Sequence, residues 1–198
     1  LTRDEGKQKD MLKSLKKQEK NLLAKQKEQQ KKVDALNKQI EEMIAKQVRT
    51  TTTLTKEQQL IAGGFEANQG RLPWPVEKGF ISGYFGKHQH PVHEHVTVNN
   101  KGIYLQTVAG ANARAIYEGE VSSCAQINGN YAVIVQHGNY RTVYSPLKKI
   151  YVKQGDKVKA KQAIGEIVTD TSEDNKTELY FQIYKDRSII NPGLWLAQ

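Results

Sequence analysis

Residues 132–144 read AVIVQHGNYRTVY and predict a β-hairpin. Two runs rich in valine, isoleucine, tyrosine and threonine, Ala132–Gln136 and Arg141–Tyr144, flank the turn signal His137-Gly138-Asn139. β-Branched and aromatic residues favour extended backbone, and a glycine between two such runs favours a tight connection. The hairpin decides the fold class because similar runs recur on both sides of it.

The other strand-like runs follow one another at intervals of roughly ten residues. They are Phe80–Tyr84, Ile103–Thr107, Ala113–Tyr117, Val121–Ile127, Ala163–Val168 and Leu179–Tyr184. Turn signals such as Asn128-Gly129-Asn130 lie between them, and no long helical pattern interrupts the series. This spacing predicts that residues 71–198 form an all-β domain of the sandwich or barrel type.

The first 50 residues have a different pattern, in which apolar side chains recur in heptads. The a positions hold Leu12, Val33 and Ile40, and the d positions hold Leu15, Leu22, Leu36 and Met43. Polar residues at the seam positions Glu19, Gln26 and Gln29 weaken the middle of the pattern. Residues 1–50 are therefore predicted to form a coiled-coil helix. Because a lone helix would expose this stripe, we expect a partner: an earlier helix, a second copy or another protein.

Residues 51–70 are predicted to contain a hinge and a short connecting helix. Four threonines at positions 50–53 end the heptad pattern, because threonine is a poor helix former. Thr55 and Gln58 then match a capping box that begins a helix ending at Gly63–Gly64 or a little beyond. This helix is either a plain connector or an arm that folds over the β domain. The fold class is thus α+β overall.

Composition narrows the function classes. The formal net charge is +9, and residues 1–50 carry most of the excess, with 14 lysines and arginines against 8 acidic residues. The lysines alternate with glutamine and glutamate and lack interleaved aromatic residues, so a nucleic-acid partner is not expected. No apolar run is long enough for a membrane helix. The single cysteine, Cys124, excludes an internal disulfide and is expected to act as a small buried hydrophobe.

Four landmarks in the second part carry a resemblance to a known family. They are Leu72–Val76 with Gly83–Gly86 and His90-Pro91, then Gly102–Leu105, then Tyr144–Leu147, and finally Glu178–Gln182 with Asn191-Pro192 and Leu194-Trp195. Together they resemble the zinc peptidoglycan endopeptidases of the lysostaphin/LytM type, which implies the duplicated hybrid motif of that family as the β fold. Residues 152–158 also resemble lipoyl-type carrier domains, but the modification signature around a lysine is missing.

The resemblance implies a zinc site whose ligands this chain has lost. The family's ligands are His, Asp and His, and the first two fall on Asn100 and Tyr104. The family's Tyr-x-His histidine falls on Pro146, and its His-x-His pair falls on Glu178 and Tyr180. Neutral amide and phenol groups are poor zinc ligands. We therefore expect no catalytic residue, no metal at these vestigial positions and no cofactor: a degenerate metallopeptidase domain.

Two other groups of residues could supply chemistry. His88, His90, His93 and His95 lie close together in sequence and could form a local site for zinc or nickel, although this stretch is expected to be a loop facing solvent. Ser145 and Cys124 could act as nucleophiles, but no base and orienting group can be identified for either. His137 matches a family position outside the metal site.

A coiled coil followed by a degenerate LytM-type domain resembles the EnvC-type activators of cell-wall amidases. The resemblance implies a non-catalytic protein of the Gram-negative periplasm or cell envelope, with a signal peptide upstream, that activates an N-acetylmuramoyl-L-alanine amidase during cell division. It also implies an FtsX-type membrane complex as a partner of the coiled coil. A peptidoglycan-binding scaffold and an active zinc endopeptidase remain alternatives. The expected partner-binding groove comprises Asn100, Tyr104, Tyr144, Pro146, Glu178, Tyr180, Gln182, Lys87 and Arg141.

Overall fold

The computed structural model describes residues 2–51, 53–89 and 97–198. The chain divides into two compact units, residues 1–43 and residues 44–198. The first helix, α1, spans Thr2–Thr50, so the predicted N-terminal helix is found at nearly its predicted length. Neither described helix contains a stretch that is long and apolar enough to cross a membrane.

The second helix, α2, spans Lys56–Ala67 and begins with the predicted capping box. The Thr55 hydroxyl accepts the Gln58 N–H at 3.2 Å, and Gln58 Oε1 accepts the Thr55 N–H at 2.9 Å. These two bonds satisfy backbone donors that the first turn leaves without partners. The helix continues through both glycines because Phe65, one residue later, is fully buried in the core of the β domain.

Thirteen strands occur in the described residues. They are β1 (Phe80–Gly83), β2 (Gly86–Gln89), β3 (Thr97–Asn100), β4 (Ile103–Thr107), β5 (Asn112–Arg114), β6 (Gly119–Ile127), β7 (Asn130–His137), β8 (Tyr140–Ile150), β9 (Lys157–Val158), β10 (Ala163–Ile167), β11 (Thr169–Asp170), β12 (Lys176–Lys185) and β13 (Ser188–Ile190). A short 3-10 helix, Pro192–Leu194, follows. The long helix, the short helix and the antiparallel β domain confirm the predicted fold class.

Eleven of these strands form one antiparallel sheet, with the central order β1-β4-β12-β8-β7-β6-β9. Strand β10 pairs with β5 and β8, while β11 and β13 pair with β12. The remaining two strands, β2 and β3, form a separate ribbon. The predicted hairpin lies near the centre of this sheet. Its strands β7 and β8 pair from Tyr131 opposite Leu147 to His137 opposite Tyr140.

Side chains on β12 alternate between two faces of the sheet. Leu179, Phe181 and Ile183 belong to the hydrophobic core, so we call this side the core face. Glu178, Tyr180 and Gln182 point the other way, to what we call the outer face, because successive side chains of a strand point to opposite sides. Helix α2 packs on the core face through Phe65, and not over the outer face.

Strand β8 continues through Pro146 to Ile150, whereas the sequence predicts that this strand ends at Tyr144. Proline cannot donate to a ladder hydrogen bond. At this position no regular ladder bond is needed: the pairing with β12 reaches Ser145, and the pairing with β10 starts at Leu147. The pairing with β7 is also irregular there. A proline is therefore tolerated inside the longest strand.

Candidate functional site

Pairing across three strands defines the middle of the outer face. On β12, Tyr180 lies opposite Tyr104 of β4 and opposite Ser145 of β8. Residues directly opposite in antiparallel strands share a face. The sheet therefore brings together two of the positions at which the family resemblance places zinc ligands, Tyr104 and Tyr180.

These two tyrosines stack on each other. Their ring centroids lie 4.6 Å apart with an interplanar angle of 25°. Gly83 of β1 makes room for the pair, because a Cβ added there would stand 2.7 Å from Tyr104 Cδ2. Tyr180 is buried and Tyr104 half-buried, so the pair fills the floor of the outer face with aromatic carbon.

The third vestigial position, Asn100, lies beside this pair. It ends β3, is buried, and donates from Nδ2 to the Tyr84 carbonyl at 2.9 Å. Tyr84 follows Gly83, which pairs with Tyr104, so Asn100 and Tyr104 meet at one end of β1. The amide here holds the β2–β3 ribbon to the chain after β1, which is a structural role.

A polar cluster around Glu178 lies next to the tyrosine pair. Ser82 Oγ donates to Glu178 Oε2 at 2.6 Å, and Lys176 Nζ lies 3.4 Å from Glu178 Oε1. Both oxygens of the carboxylate are thus engaged by side chains of the same face. Sequence reasoning missed Ser82 and Lys176, although the alternation along β1 and β12 could have indicated them.

Two large aromatic side chains form the rim of the outer face at the edge strand. Phe80 is 57% exposed and Tyr84 is 66% exposed. Phe80 pairs with Gln106 of β4, which in turn pairs with Glu178. Phe80 is therefore continuous with the cluster around Glu178, and Tyr84 follows directly after β1. Sequence reasoning treated both residues only as part of a strand or a landmark.

The last two turns of α1 contact the outer face near its other end. Arg141 Nε donates to Gln47 Oε1 at 3.0 Å, and Gln47 Nε2 donates to the Ser122 carbonyl at 3.4 Å. The register of β6 shifts between residues 121 and 123, which is where that carbonyl lies. Arg141 is only 2% exposed, and burial lowers the pKa of its guanidinium. Gln47 offers this guanidinium a neutral amide, while the negative charge of Asp186 partly offsets the effect of burial on the pKa.

Tyr144 corrects one predicted groove residue. It pairs with Phe181, points to the core face and is fully buried, so it cannot line the groove. Its hydroxyl accepts the Ile116 N–H at 3.1 Å and lies 3.0 Å from Thr142 Oγ1. Burial raises the pKa of Tyr144 to about 12. Tyr144 and Ser145 are consecutive in β8, so the regular alternation of the strand places them on opposite faces.

His137 extends this buried chain of polar groups. Its Nδ1 lies 2.7 Å from the Glu118 carbonyl, and its Nε2 lies 2.9 Å from Thr142 Oγ1. A carbonyl can only accept, so Nδ1 carries the proton and Nε2 accepts from the threonine hydroxyl. Burial lowers the pKa of His137 to about 4. The imidazole is a structural part of the core, on the face away from the tyrosine pair.

The other predicted residues differ in accessibility. Gln182 is on the outer face but fully buried, and donates to the Lys101 carbonyl at 3.3 Å. Pro146 is half-buried within β8, and its carbonyl accepts the Val168 N–H at 3.2 Å. Lys87 is exposed on β2. A partner would thus reach Lys87 and Glu178 more readily than Gln182.

The proposed histidine cluster falls largely outside the described residues. His90, His93 and His95 are among residues 90–96, and only His88, half-buried on β2 opposite Val98, is described. In the described ranges, no three side chains of histidine, cysteine, aspartate or glutamate come together as a metal site. Cys124 is partly buried, and burial raises the pKa of its thiol.

Comparison with family models and with known proteins shows what this chain is similar to. Residues 98–192 match the model of peptidase family M23. This segment of 95 residues, just under half of the chain, is similar to an M23 peptidase domain. The matched segment includes Asn100, Tyr104 and Tyr180, the positions at which the resemblance places the zinc ligands.

Individual relatives agree with this assignment. The murein hydrolase activator EnvC of Escherichia coli (strain K12) is 27% identical over 138 residues, which are 69% of this chain and 31% of EnvC. The chain therefore corresponds to less than a third of that relative's length. A chain of the SpoIIQ–SpoIIIAH pore-forming complex matches with a TM-score of 0.53 and 27% identity, covering 65% of this chain and 92% of that one. A zinc-containing peptidase from Vibrio cholerae matches with a TM-score of 0.51 and 25% identity, covering 63% and 40% respectively.

Proposed function

We propose that this protein is a non-catalytic activator of a cell-wall N-acetylmuramoyl-L-alanine amidase, which it binds through the outer face of its M23 domain. It acts in the cell envelope, in the periplasm of a Gram-negative bacterium, while peptidoglycan is split during cell division. Helix α1 engages a membrane complex of the FtsX type. The observation that carries the proposal is the tyrosine stack at 4.6 Å in place of metal ligands.

The stack argues against hydrolysis at this site. A catalytic zinc needs three protein ligands and an open position for the water that it activates. Tyr104 and Tyr180 supply neutral phenols and fill the space with packed rings. The Asn100 amide is already committed to the Tyr84 carbonyl. Glu178 alone cannot hold a catalytic zinc against water.

The outer face supports a binding role because it already holds a helix. The end of α1 lies on it through Gln47, whose amide oxygen occupies the Nε–H of Arg141. A carboxylate on a partner helix would make a stronger, charge-assisted bond with the same guanidinium. Displacement of residues 44–50 by an acidic partner helix would therefore be favourable. The contact between Gln47 and Arg141 would then control whether the outer face is open to the amidase.

The relatives support the activator more than the fold alone does. The fold is shared with a zinc-containing peptidase, so it does not separate the two functions. EnvC is named an activator of murein hydrolases, and its match covers 138 residues, beyond the span of 95 residues from 98 to 192 that fits the M23 model. A chain in a complex with a second protein shares the fold as well.

The test measures release of dye-labelled fragments from purified peptidoglycan by an amidase, with and without this protein. We expect acceleration of about tenfold or more, while the protein alone releases nothing. Arg141→Gln should reduce the acceleration, because it removes the charge with which an acidic partner helix would pair. Gln47→Ala should increase it by freeing Arg141, whereas Lys46→Ala, on an exposed neighbour in the same helix, should leave it unchanged.

Two results would contradict the proposal. Cleavage by the protein alone, with stoichiometric zinc, would make it an endopeptidase. No acceleration of any amidase, together with sedimentation of the protein with cell walls, would make it a peptidoglycan-binding scaffold. The exposed rim residues Phe80 and Tyr84 favour that second function, since aromatic faces can stack on sugar rings. In that case Phe80→Ala with Tyr84→Ala should abolish sedimentation, and Tyr151→Ala, at a 48% exposed tyrosine elsewhere, should not.

A further inference from the structure

Residues 9–32 of α1 present an apolar stripe to solvent. The described side chains of Met11, Leu12, Leu15 and Leu22 are between 50% and 68% exposed. Three of them, Leu12, Leu15 and Leu22, are at a and d positions, and Met11 lies beside Leu12; this is more than the scattered exposure that is normal for a soluble surface. This stretch, which we call the basic seam, has the chemistry of an interaction surface.

The charges that flank the stripe are of one sign. With Leu12 at position a, the e and g positions from 9 to 32 are Lys9, Met11, Lys16, Gln18, Leu23, Lys25, Gln30 and Lys32. Four of these eight residues are lysines and none is acidic. Residues at e and g face the flanks of a partner helix and select it by charge. The basic seam therefore selects a partner with acidic flanks.

A second copy of the chain fits this surface poorly. In a parallel pair, the a-position Glu19 would face the Glu19 of the other copy, and the lysines of each flank would find no acidic residue to pair with on the other copy. In an antiparallel pair, two segments that each carry ten lysines and three acidic residues between positions 7 and 32 would still lie side by side. Like charges at these positions destabilise a coiled coil.

An anionic membrane also fits it poorly. A membrane-surface helix separates a wide apolar face, usually with aromatic anchors, from a basic face. Here Glu19, Gln26 and Gln29 interrupt the apolar stripe, and the first 50 residues contain no aromatic residue. Polar seam residues instead fix the register of a helix pair, at a cost in stability.

We propose that the basic seam docks a helix of another protein that has an apolar heptad seam, glutamate or aspartate at its e and g positions, and a lysine or arginine opposite Glu19. Burial of the leucines supplies the attraction, and the acidic flanks remove the repulsion that a second copy would suffer. The proposal concerns α1 alone, so it stands or falls independently of the amidase and of the outer face.

The experiment titrates the full chain with two synthetic peptides, each about four heptads long. Both have isoleucine at a, leucine at d and a lysine opposite Glu19; one carries glutamate at every e and g position, and its twin carries lysine. Calorimetry at low salt should show the acidic peptide binding at least about tenfold more tightly, with a smaller difference at high salt. The double variant Leu15→Glu with Leu22→Glu should lose binding.

A charge-matched pair of variants tests the flanks themselves. Reversal at the flanks (Lys9→Glu, Lys16→Glu, Lys25→Glu and Lys32→Glu) should shift the preference to the lysine peptide. The same number of reversals at b and f positions (Lys13→Glu, Lys17→Glu, Lys20→Glu and Lys31→Glu) gives the same net charge and should keep the preference for the acidic peptide.

Each alternative has its own signature. Equal binding of the two peptides would overturn the proposal, as would a shift of preference in both charge-reversed variants. A dimer in sedimentation equilibrium that dissociates in the Leu15→Glu, Leu22→Glu variant would replace it with self-association. Leucine-dependent flotation with phosphatidylglycerol vesicles would replace it with a membrane surface.

Discussion

The two faces of strand β12 contrast within one short stretch of chain. Leu179, Phe181 and Ile183 on the core face are fully buried and purely apolar. Glu178 and Tyr180, which alternate with them, carry an ionised cluster and an aromatic stack. The core face supplies close apolar packing, whereas the outer face carries aromatic and polar side chains at the positions where the resemblance to zinc peptidases places metal ligands.

This difference separates two kinds of constraint. A core position is constrained by close packing, so that adding or removing even one methylene group changes the stability of the fold. A position that once served chemistry is free to change as soon as the chemistry is gone, provided that its neighbours can pack around the new side chain. Gly83 shows such an accommodation, because its missing Cβ admits the ring of Tyr104.

The sharpest test of the contrast restores the ligands on the outer face. The variant Asn100→His, Tyr104→Asp, Tyr180→His should retain about one zinc per chain after dialysis, because His, Asp and His with an open position form a zinc site. The opposed register of residues 104 and 180 supplies the necessary proximity. Elemental analysis of the folded protein measures the gain, and the unchanged protein should retain no stoichiometric zinc.

A double variant without Asn100→His serves as the control and should bind zinc far more weakly, since only two ligands remain. If the folded triple variant holds no zinc, the backbone of the outer face has moved away from the geometry of the M23 peptidases. The contrast between the faces would then extend beyond side chains.

On the core face, Phe65→Ala should cause the largest loss of stability. Its ring lies 4.8 Å from Tyr140, 4.9 Å from His137 and 5.2 Å from Trp195 by centroid distances, and it is fully buried. Removing a buried phenylalanine side chain costs about 3–5 kcal/mol in the free energy of unfolding. Urea denaturation measures the change. Leu60→Ala on the same helix, at a residue that is 78% exposed, should change it by less than about 0.5 kcal/mol.

A loss in Phe65→Ala no larger than that in Leu60→Ala would show that α2 is not docked by this side chain. Helix α2 would then be a plain connector, which is one of the two alternatives that the sequence predicts. The other alternative, an arm that folds over the β domain, would require contacts other than Phe65.

The buried imidazole should make stability depend on pH in a defined window. The folded-state pKa of His137 is about 4, below the ordinary value of 6.5, so between these values the unfolded chain binds a proton that the folded chain does not. Stability is therefore complete above pH 6.5 and falls as the pH drops towards 4. A difference of this size corresponds to roughly 3 kcal/mol for this group.

Urea midpoints between pH 7 and pH 4 measure this dependence, with His137→Gln and His88→Gln as a matched pair. His137→Gln should flatten the curve within the window, while His88→Gln, on the half-buried β2 histidine, should keep it. Equal slopes in both variants and the unchanged protein would assign the loss to other groups.

The sequence predicted those features that depend on local pattern. The capping box at Thr55 and Gln58 appears as predicted, and the strand Ile103–Thr107 has its predicted bounds. Local pattern also separates the two faces of β12, because alternation alone places Tyr180 away from Phe181.

What the sequence could not provide depends on pairing between distant segments. The family resemblance predicts Tyr144 in the groove, but its regular pairing with Phe181 puts it on the core face. The contact of Gln47 with Arg141 spans 94 residues of sequence. No periodicity within either segment could indicate it, since a glutamine at a heptad position signals only a weak seam.

The smallest expected effect concerns an ion pair that joins α2 to the edge of the sheet. Lys157 Nζ lies 2.7 Å from Glu57 Oε1, but the two side chains are 71% and 67% exposed. The pair raises the pKa of Lys157 through its hydrogen bond and charge attraction to Glu57. Water and salt screen such exposed pairs, and ordering two long side chains offsets much of the attraction.

Lys157→Ala should therefore lower the melting temperature by about 2 °C or less, and the shift should vanish at high salt. Lys153→Ala, at an exposed lysine that forms no ion pair with the described residues, is the matched control. A shift as large as that of Phe65→Ala would mean that α2 is held mainly by surface charge. The aromatic cluster around Phe65 makes the opposite outcome the expected one, because its contacts are desolvated and the ion pair is not.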